Sequence, residues 1–299
     1  MERQYLSIDI GGTSIKYAQI NHSGNIIEKD SIETPRSKEE FLRTLENIFH
    51  KVPAVTAICV SVPGIVNSQS GLVQFTGILK FMGKYKLGKF IEDTTDLPWY
   101  VGNDANCATL AELWLGNLNG IENGAVITLG TSVGGGIVVN GRLLHGLNSR
   151  AGELSAIITN RSDPEPTEQT VGATTSAVKM VQTIADVCDL QEPDGRQVFE
   201  QINTRNPLAW SLFEQYCRRV AILLINLQAV LDLETILIGG GISVQPILIT
   251  EVKEQFAKMQ ARDQRLADDV VMPEIEAAMF GNEANLLGAL YGLFLKIDR

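Results

Sequence analysis

Short apolar runs, each closed by glycine, asparagine or serine, alternate along this chain with longer stretches of helical spacing. Tyr5–Ile10 reads as a buried strand, Gly11-Gly12 as a turn, and Tyr17–Ile20 as a second strand. His22-Ser23-Gly24-Asn25 predicts another turn, after which Ile26–Ser31 returns as a third strand. Ser37–Phe49 places Phe41, Leu45, Ile48 and Phe49 on one helical face. Ser37 stands at the N-cap, with Glu40 three residues on. Val55–Ser61 follows as a strand, Leu87–Thr95 as a short helix, Trp99–Gly102 as a strand and Ala105–Leu115 as a helix.

The pattern then restarts. Ala125–Leu129 reads as a strand, Gly130–Gly136 as a glycine-rich turn and Ile137–Val139 as a strand. Asn140-Gly141 is a two-residue hairpin signal, and Arg142–His145 returns. This repeats the plan of residues 5–31 and predicts two topologically similar lobes. Helices over Ala173–Cys188, Pro207–Leu231, Gln245–Ala261 and Asn282–Lys296 complete the second half, with strands at Thr235–Ile238 and Val270–Pro273. Strands alternating with helices make an α/β protein. The expected division is an N-terminal lobe over 1–115 and a C-terminal lobe over 116–281, with the last helix, about 282–299, packing back on the first. The polar stretch Thr159–Gly172, with Asp163-Pro164-Glu165-Pro166 at its centre, reads as a lid or a surface connector.

Composition narrows the class. At 299 residues, 44% hydrophobic and 20% charged, the chain has the make-up of a globular protein able to bury a sizeable core. A formal charge of −10 argues against a nucleic-acid partner, whose phosphates need clustered Lys and Arg. It leaves room for a small anion such as ATP, which backbone amides and one or two cations can hold. Cys59, Cys107, Cys188 and Cys217 lie far apart with no C-x-x-C pair, so buried thiols in a reducing compartment are expected. No signal-like segment and no apolar run of about 18 residues is present, which predicts a cytoplasmic protein without a membrane partner.

Three glycine-rich turns follow strands: Asp9-Ile10-Gly11-Gly12-Thr13-Ser14-Ile15-Lys16, Leu129-Gly130-Thr131-Ser132-Val133-Gly134-Gly135-Gly136, and Ile238-Gly239-Gly240-Gly241-Ile242-Ser243. Glycine lets backbone N–H groups approach a phosphate closely, and Thr13, Thr131 and Ser132 add hydroxyl donors. Asp9 is placed to orient Mg²⁺ through water, and Lys16 to offset phosphate charge. None of the three is a Walker A or a Gly-x-Gly-x-x-Gly sequence. A tight hairpin would explain any one alone; together they point to a nucleotide. Gly102-Asn103-Asp104-Ala105-Asn106 joins a strand to a helix. Asp104 there is either a helix N-cap or the general base that takes the proton of an attacking sugar hydroxyl, with Asn103 hydrogen-bonding neighbouring hydroxyls.

In order, these segments resemble the ROK family of sugar kinases, within the sugar kinase/Hsp70/actin superfamily. Asp-Ile-Gly-Gly-Thr-x-x-Lys is similar to its first phosphate motif and Leu-Gly-Thr-Ser-Val-Gly-Gly-Gly to its second. Asn-Asp-Ala-Asn resembles its catalytic segment and Ile-Gly-Gly-Gly-Ile its adenosine motif. Ala-Gly-Glu-Leu is similar to the segment whose Glu binds sugar hydroxyls, which brings in Glu153. The resemblance covers essentially the whole chain. It implies a two-lobed actin-like, ribonuclease H-like ATPase fold with duplicated lobes and a cleft between them. It also implies ATP with Mg²⁺, a sugar substrate, Asp104 as the base, sugar contacts at Gly64 and Gly77, and a homodimer.

One departure is substantial. Most of the family continue from Gly-Glu to a His and then a cysteine cluster that holds zinc. Here the His position is Ala156 and Thr159–Gly172 has no cysteine, so no zinc site is expected. The loss leaves room for an anomeric substituent, and Gly71–Phe81 is similar in character to the zinc-less β-glucoside kinases. The 6-hydroxyl of a hexose or β-glucoside is therefore the expected acceptor, with glucokinase, N-acetylmannosamine kinase and fructokinase as alternatives. A ROK repressor is disfavoured because the phosphate strand begins by residue 5. A non-catalytic sugar-binding ROK sensor would have no use for Asp104.

Overall fold

The computed structural model describes residues 3–52, 54–159, 169–191 and 194–298. They form two compact units, one of residues 1–119, 145–151 and 282–299, the other of 120–144 and 152–281. Residues 145–151 group with the first unit although they follow the hairpin of the second.

In the first unit β1 (Gln4–Ile10), β2 (Ser14–Asn21) and β3 (Ile26–Glu33) form an antiparallel meander. The helix α1 (Lys38–Lys51) follows, and its N-cap is Ser37, whose side chain accepts from the Glu40 N–H. Next come β4 (Ile58–Val62), the short strands β5 (Ile65–Asn67), β6 (Leu72–Gln74) and β7 (Lys84–Lys86), then α2 (Leu87–Thr95), β8 (Trp99–Asn103) and α3 (Asp104–Leu115). The main sheet runs β3-β2-β1-β4-β8, with β4 parallel to both β1 and β8. The run of apolar residues in β1 and β4 follows from burial on both faces. Phe41, Leu45, Ile48 and Phe49 of α1 cover one face, each worth roughly 1.5–3 kcal/mol when buried.

In the second unit β9 (Gly124–Leu129), β10 (Val133–Val139) and β11 (Arg142–Leu143) make the same meander. There follow α4 (Val171–Thr174), α5 (Ala177–Val187), α6 (Gly195–Asn203), α7 (Pro207–Leu231), β12 (Thr235–Gly239), α8 (Pro246–Arg262), α9 (Gln264–Asp269) and β13 (Glu274–Ala277). This sheet runs β11-β10-β9-β12-β13, with β12 parallel to β9 and β13. Strand for strand, order and direction match the first unit. The repeat read from the turns is a repeat of topology.

The last helix, α10 (Ala284–Ile297), belongs to the first unit and packs on α3 and on β1, β4 and β8. Gly288 makes the approach possible, because a Cβ there would collide with the Cys107 carbonyl. Gly292, one turn on, lies against the Tyr100 ring.

Three readings of the sequence are corrected, and one unassigned stretch gains a sheet. The strand expected at Val270–Pro273 lies at Glu274–Ala277. Val270 ends α9, Val271 is 70% exposed, and Pro273 has no N–H, so the ladder begins where the Glu274 N–H reaches the Glu234 carbonyl. The helix expected over 173–188 is broken, because the Ser176 hydroxyl accepts from the Lys179 N–H and starts α5 afresh. The glycine-rich turn expected over 130–136 closes early, and Gly134, Gly135 and Gly136 lie in β10. The stretch after Gly64 is a three-stranded sheet, β5-β6-β7, whose strands are too short to leave a period. The centre of the Thr159–Gly172 stretch lies outside the described residues. Its ends are tied by the Thr159 N–H to the Gln169 carbonyl at 2.8 Å and the Val171 N–H to the Ile157 carbonyl at 2.8 Å. No helix among the described residues is long and apolar enough to cross a membrane.

Candidate active site

In the first unit the candidate chemistry stands at the carboxyl ends of three adjacent parallel strands, where open α/β sheets place their ligands. Asp9 is in register with Ser61, and Ser61 with Gly102. Asp9 and the Asn103-Asp104 pair are thus two strand spacings apart, roughly 10 Å. Asp9 is 8% exposed, and its Oδ1 accepts from Asn285 Nδ2 at 3.0 Å. Burial raises its carboxyl above the usual range, against the lowering pull of Asn285, of the Lys16 cation and of Ser61. The Ser61 hydroxyl, itself buried, makes no hydrogen bond of good geometry. Lys16 lies opposite Asp9 on β2.

The turn carrying Gly11, Gly12 and Thr13 is closed by the Gly11 N–H on the Ser14 carbonyl at 2.9 Å. Thr34 clamps it twice, its hydroxyl donating to the Gly11 carbonyl and its N–H to the Thr13 carbonyl. Thr13 is left exposed.

At the next switch Asn103 is the N-cap of α3 and Asp104 its first helical residue. The capping role weighed for Asp104 is therefore filled by its neighbour. The Asn103 Oδ1 accepts from the Asn106 N–H at 3.1 Å. Its Nδ2 donates to the Gly64 carbonyl at 3.0 Å and to Asp104 Oδ1 at 2.9 Å. Asp104 Oδ1 also accepts from the Ala105 N–H at 2.8 Å. These two donors fix the carboxylate's orientation at the helix N-terminus. Gly64 has φ +118° and sits so tightly on the Gln74 carbonyl that a side chain would collide with it. Gly77, exposed with φ +59°, opens a turn of 3-10 helix over Gly77–Met82.

In the second unit two glycine segments lie side by side. The Gly130 N–H closes on the Ser132 carbonyl at 3.0 Å, leaving Thr131 and Ser132 exposed. Gly239 ends β12 in register with Thr128 of β9. Gly240, at φ +98°, rests on the Leu129 backbone, with no room for a Cβ. A Cβ at Gly241 would meet nothing within 4 Å. The start of α5 closes on the first turn, where the Ala177 N–H donates to the Gly130 carbonyl at 2.9 Å. Bare peptide beside a helix N-terminus suits an anionic ligand. Gly134 is half-buried inside β10 opposite Thr128, past the turn. Glu153 is exposed and precedes the 3-10 turn Leu154–Ala156.

The structure therefore groups Asp9, Gly11, Gly12, Thr13, Lys16, Gly64, Gly77, Asn103 and Asp104 in the first unit. Gly130, Thr131, Ser132, Gly134, Glu153, Gly239, Gly240 and Gly241 belong to the second. Sequence reasoning missed Thr34, Ser61, Ser176 and Asn285. Asn285 is 276 residues from Asp9, and nothing local signals their meeting.

A duplicated five-stranded mixed sheet with chemistry at the carboxyl ends of its parallel strands defines the actin-like class of sugar kinases and ATPases. The ROK family model matches residues 5–295, and the chain belongs to the ROK family. It is 34% identical over 297 residues to a beta-glucoside kinase of Listeria innocua, covering 98% of each chain. It is 30% identical over 316 residues to a glucokinase of Halalkalibacterium halodurans, covering 96% of this chain and 94% of that one. A crystal structure of a ROK family protein from Streptococcus pneumoniae in complex with sucrose superposes with a TM-score of 0.88 at 29% identity, covering 99% of each chain.

Proposed function

We propose that this protein is an ATP-dependent sugar kinase that phosphorylates a hydroxyl of a hexose or β-glucoside, the 6-hydroxyl being the expected acceptor. The observation that carries the reading is the setting of Asp104. It stands at the carboxyl end of a parallel strand, is oriented by Asn103, and accepts the Ala105 N–H at the start of α3. In that role its carboxylate takes the acceptor's proton as the hydroxyl oxygen attacks the γ-phosphorus. The oxygen–phosphorus bond forms, the bond to the β-phosphate oxygen breaks, and ADP leaves. Both side-chain donors of Asn103 are engaged by protein, so it acts chiefly by holding Asp104 and Gly64, with an Oδ1 lone pair left for a sugar hydroxyl.

The bare turns at Gly130–Ser132 and Gly239–Gly241 fit the nucleotide, and Glu153 is assigned to sugar hydroxyls. Asp9 would hold Mg²⁺ through water, because a cation offsets the cost of keeping a carboxylate charged at 8% exposure. The metal would neutralise phosphate charge. Ala156 at the family's His position and the lack of cysteine in Thr159–Gly172 keep zinc out of the proposal. A homodimer and a cytoplasmic location complete it, supported by the family resemblance.

The β-glucoside preference is supported by the Listeria innocua relative, and the glucokinase relative keeps glucose in view. A coupled ADP-release assay across glucose, cellobiose, an aryl-β-glucoside, N-acetylmannosamine and fructose tests it. Sugar-dependent ADP release, strongest with a β-glucoside, is expected. Sugar binding with no ADP release on any acceptor would establish a sensor instead.

A further inference from the structure

The small sheet β5-β6-β7 has two unlike faces. Paired residues of antiparallel strands share a face, and alternate residues return to it. Val66 and Val73 pair across the buried face, at 3% and 0% exposure. The other face carries the pairs Ile65–Gln74 and Asn67–Leu72, with Lys84 opposite Gln74. The segment 145–151, part of the same unit, joins this face to line an open cavity of about 440 Å³, to which it adds Leu147 and Arg150.

The lining has a definite chemistry. Leu72 and Leu147 give it an apolar wall, and Leu147 is 98% exposed, a leucine on the surface with little to pack against. Asn67 and Gln74 supply amides. Lys84 and Arg150 supply two cations, neither in an ion pair among the described residues, and no carboxylate lines the cavity. In a chain of net charge −10, two cations sharing one cavity without a carboxylate mark it for an anion. A chain of contacts links the cavity's lining to Asp104. Asp104 accepts from Asn103, Asn103 holds the Gly64 carbonyl, and Gly64 rests on the backbone of Gln74, whose side chain lines the cavity.

We propose that this cavity is a distal subsite for the part of the acceptor beyond the phosphorylated ring, selecting glycosides whose aglycone carries an apolar ring and a negative charge. The proposal rests on Asp104 marking the acceptor site. Leu72 and Leu147 pack on the aglycone ring, and Lys84 and Arg150 meet its charge through charge-assisted hydrogen bonds.

The test compares kcat/KM for 4-carboxyphenyl β-glucoside, its neutral isostere 4-carbamoylphenyl β-glucoside, and glucose, in wild type, Lys84→Gln and Arg150→Gln. The wild type should prefer the carboxylate by about tenfold, mainly through KM, and the preference should shrink with added salt. Each variant should lose most of it while glucose turnover stays unchanged. Equal use of the two glycosides by the wild type, or a preference that survives both substitutions, would overturn the subsite while glucose turnover kept the kinase reading intact. If no acceptor releases ADP, the kinase reading fails, and calorimetric binding of the same two glycosides to the same three proteins decides the subsite by the same comparison.

Discussion

Asn103 donates Nδ2 to Asp104 Oδ1 at 2.9 Å while the same amide group holds the Gly64 carbonyl at 3.0 Å. One side chain therefore caps α3, orients the carboxylate beside it and ties down the glycine that follows β4. Asn103→Ala removes the cap, worth roughly 0.5–2 kcal/mol, and frees Asp104 to rotate. The variant should melt several degrees lower and lose kcat well beyond what its stability loss explains. Calorimetry with single-turnover kinetics separates the two effects. A lowered melting temperature with unchanged kcat would assign Asn103 to the helix alone.

Asp9 gives the opposite balance. Its charge is buried, and burial outweighs Asn285, Lys16 and Ser61 in setting its carboxyl above the usual range. With the folded pKa above the unfolded one, its stabilising contribution belongs to low pH and is lost as pH rises through the folded value. Asp9→Asn should therefore be at least as stable as the wild type at pH 7 and nearly inactive. Thermal melts beside the ADP assay check both halves. A large loss of stability would make Asp9 a structural residue.

The duplicated sheet was legible because each meander carries its own turn chemistry, Gly11-Gly12 in one and Gly130 with Asn140-Gly141 in the other. The helix start at Asn103-Asp104 was legible because Asn-Asp follows an apolar strand. The support around it was not. Asn285 reaches Asp9 only through the return of α10, and Gly288 marks the α3 contact only once the two helices are set together. The sheet β5-β6-β7 escaped because three-residue strands carry no readable alternation. The apolar run at Val270–Pro273 misled because Val271 and Met272 face solvent.

Lys296 supplies a check on how α10 docks. It donates to the Trp99 carbonyl at 3.0 Å and lies over the Trp99 ring, and burial brings its amine down to about 8 despite the opposing pull of Glu92. Between about pH 8 and pH 10 the unfolded chain holds this proton and the folded one does not, so stability rises with pH. Denaturant titrations of wild type and Lys296→Met over that window should show the wild type gaining on the variant. Parallel curves would place the ammonium in water.

The most direct measurement of the central claim is the turnover of Asp104→Asn, with sugar affinity measured calorimetrically on the same protein. The side chain keeps its size and loses the ability to take a proton. A fall in kcat of about 10²–10⁴ with sugar affinity within a few-fold of wild type is predicted. Turnover close to wild type would contradict the assignment of the acceptor's proton to this carboxylate.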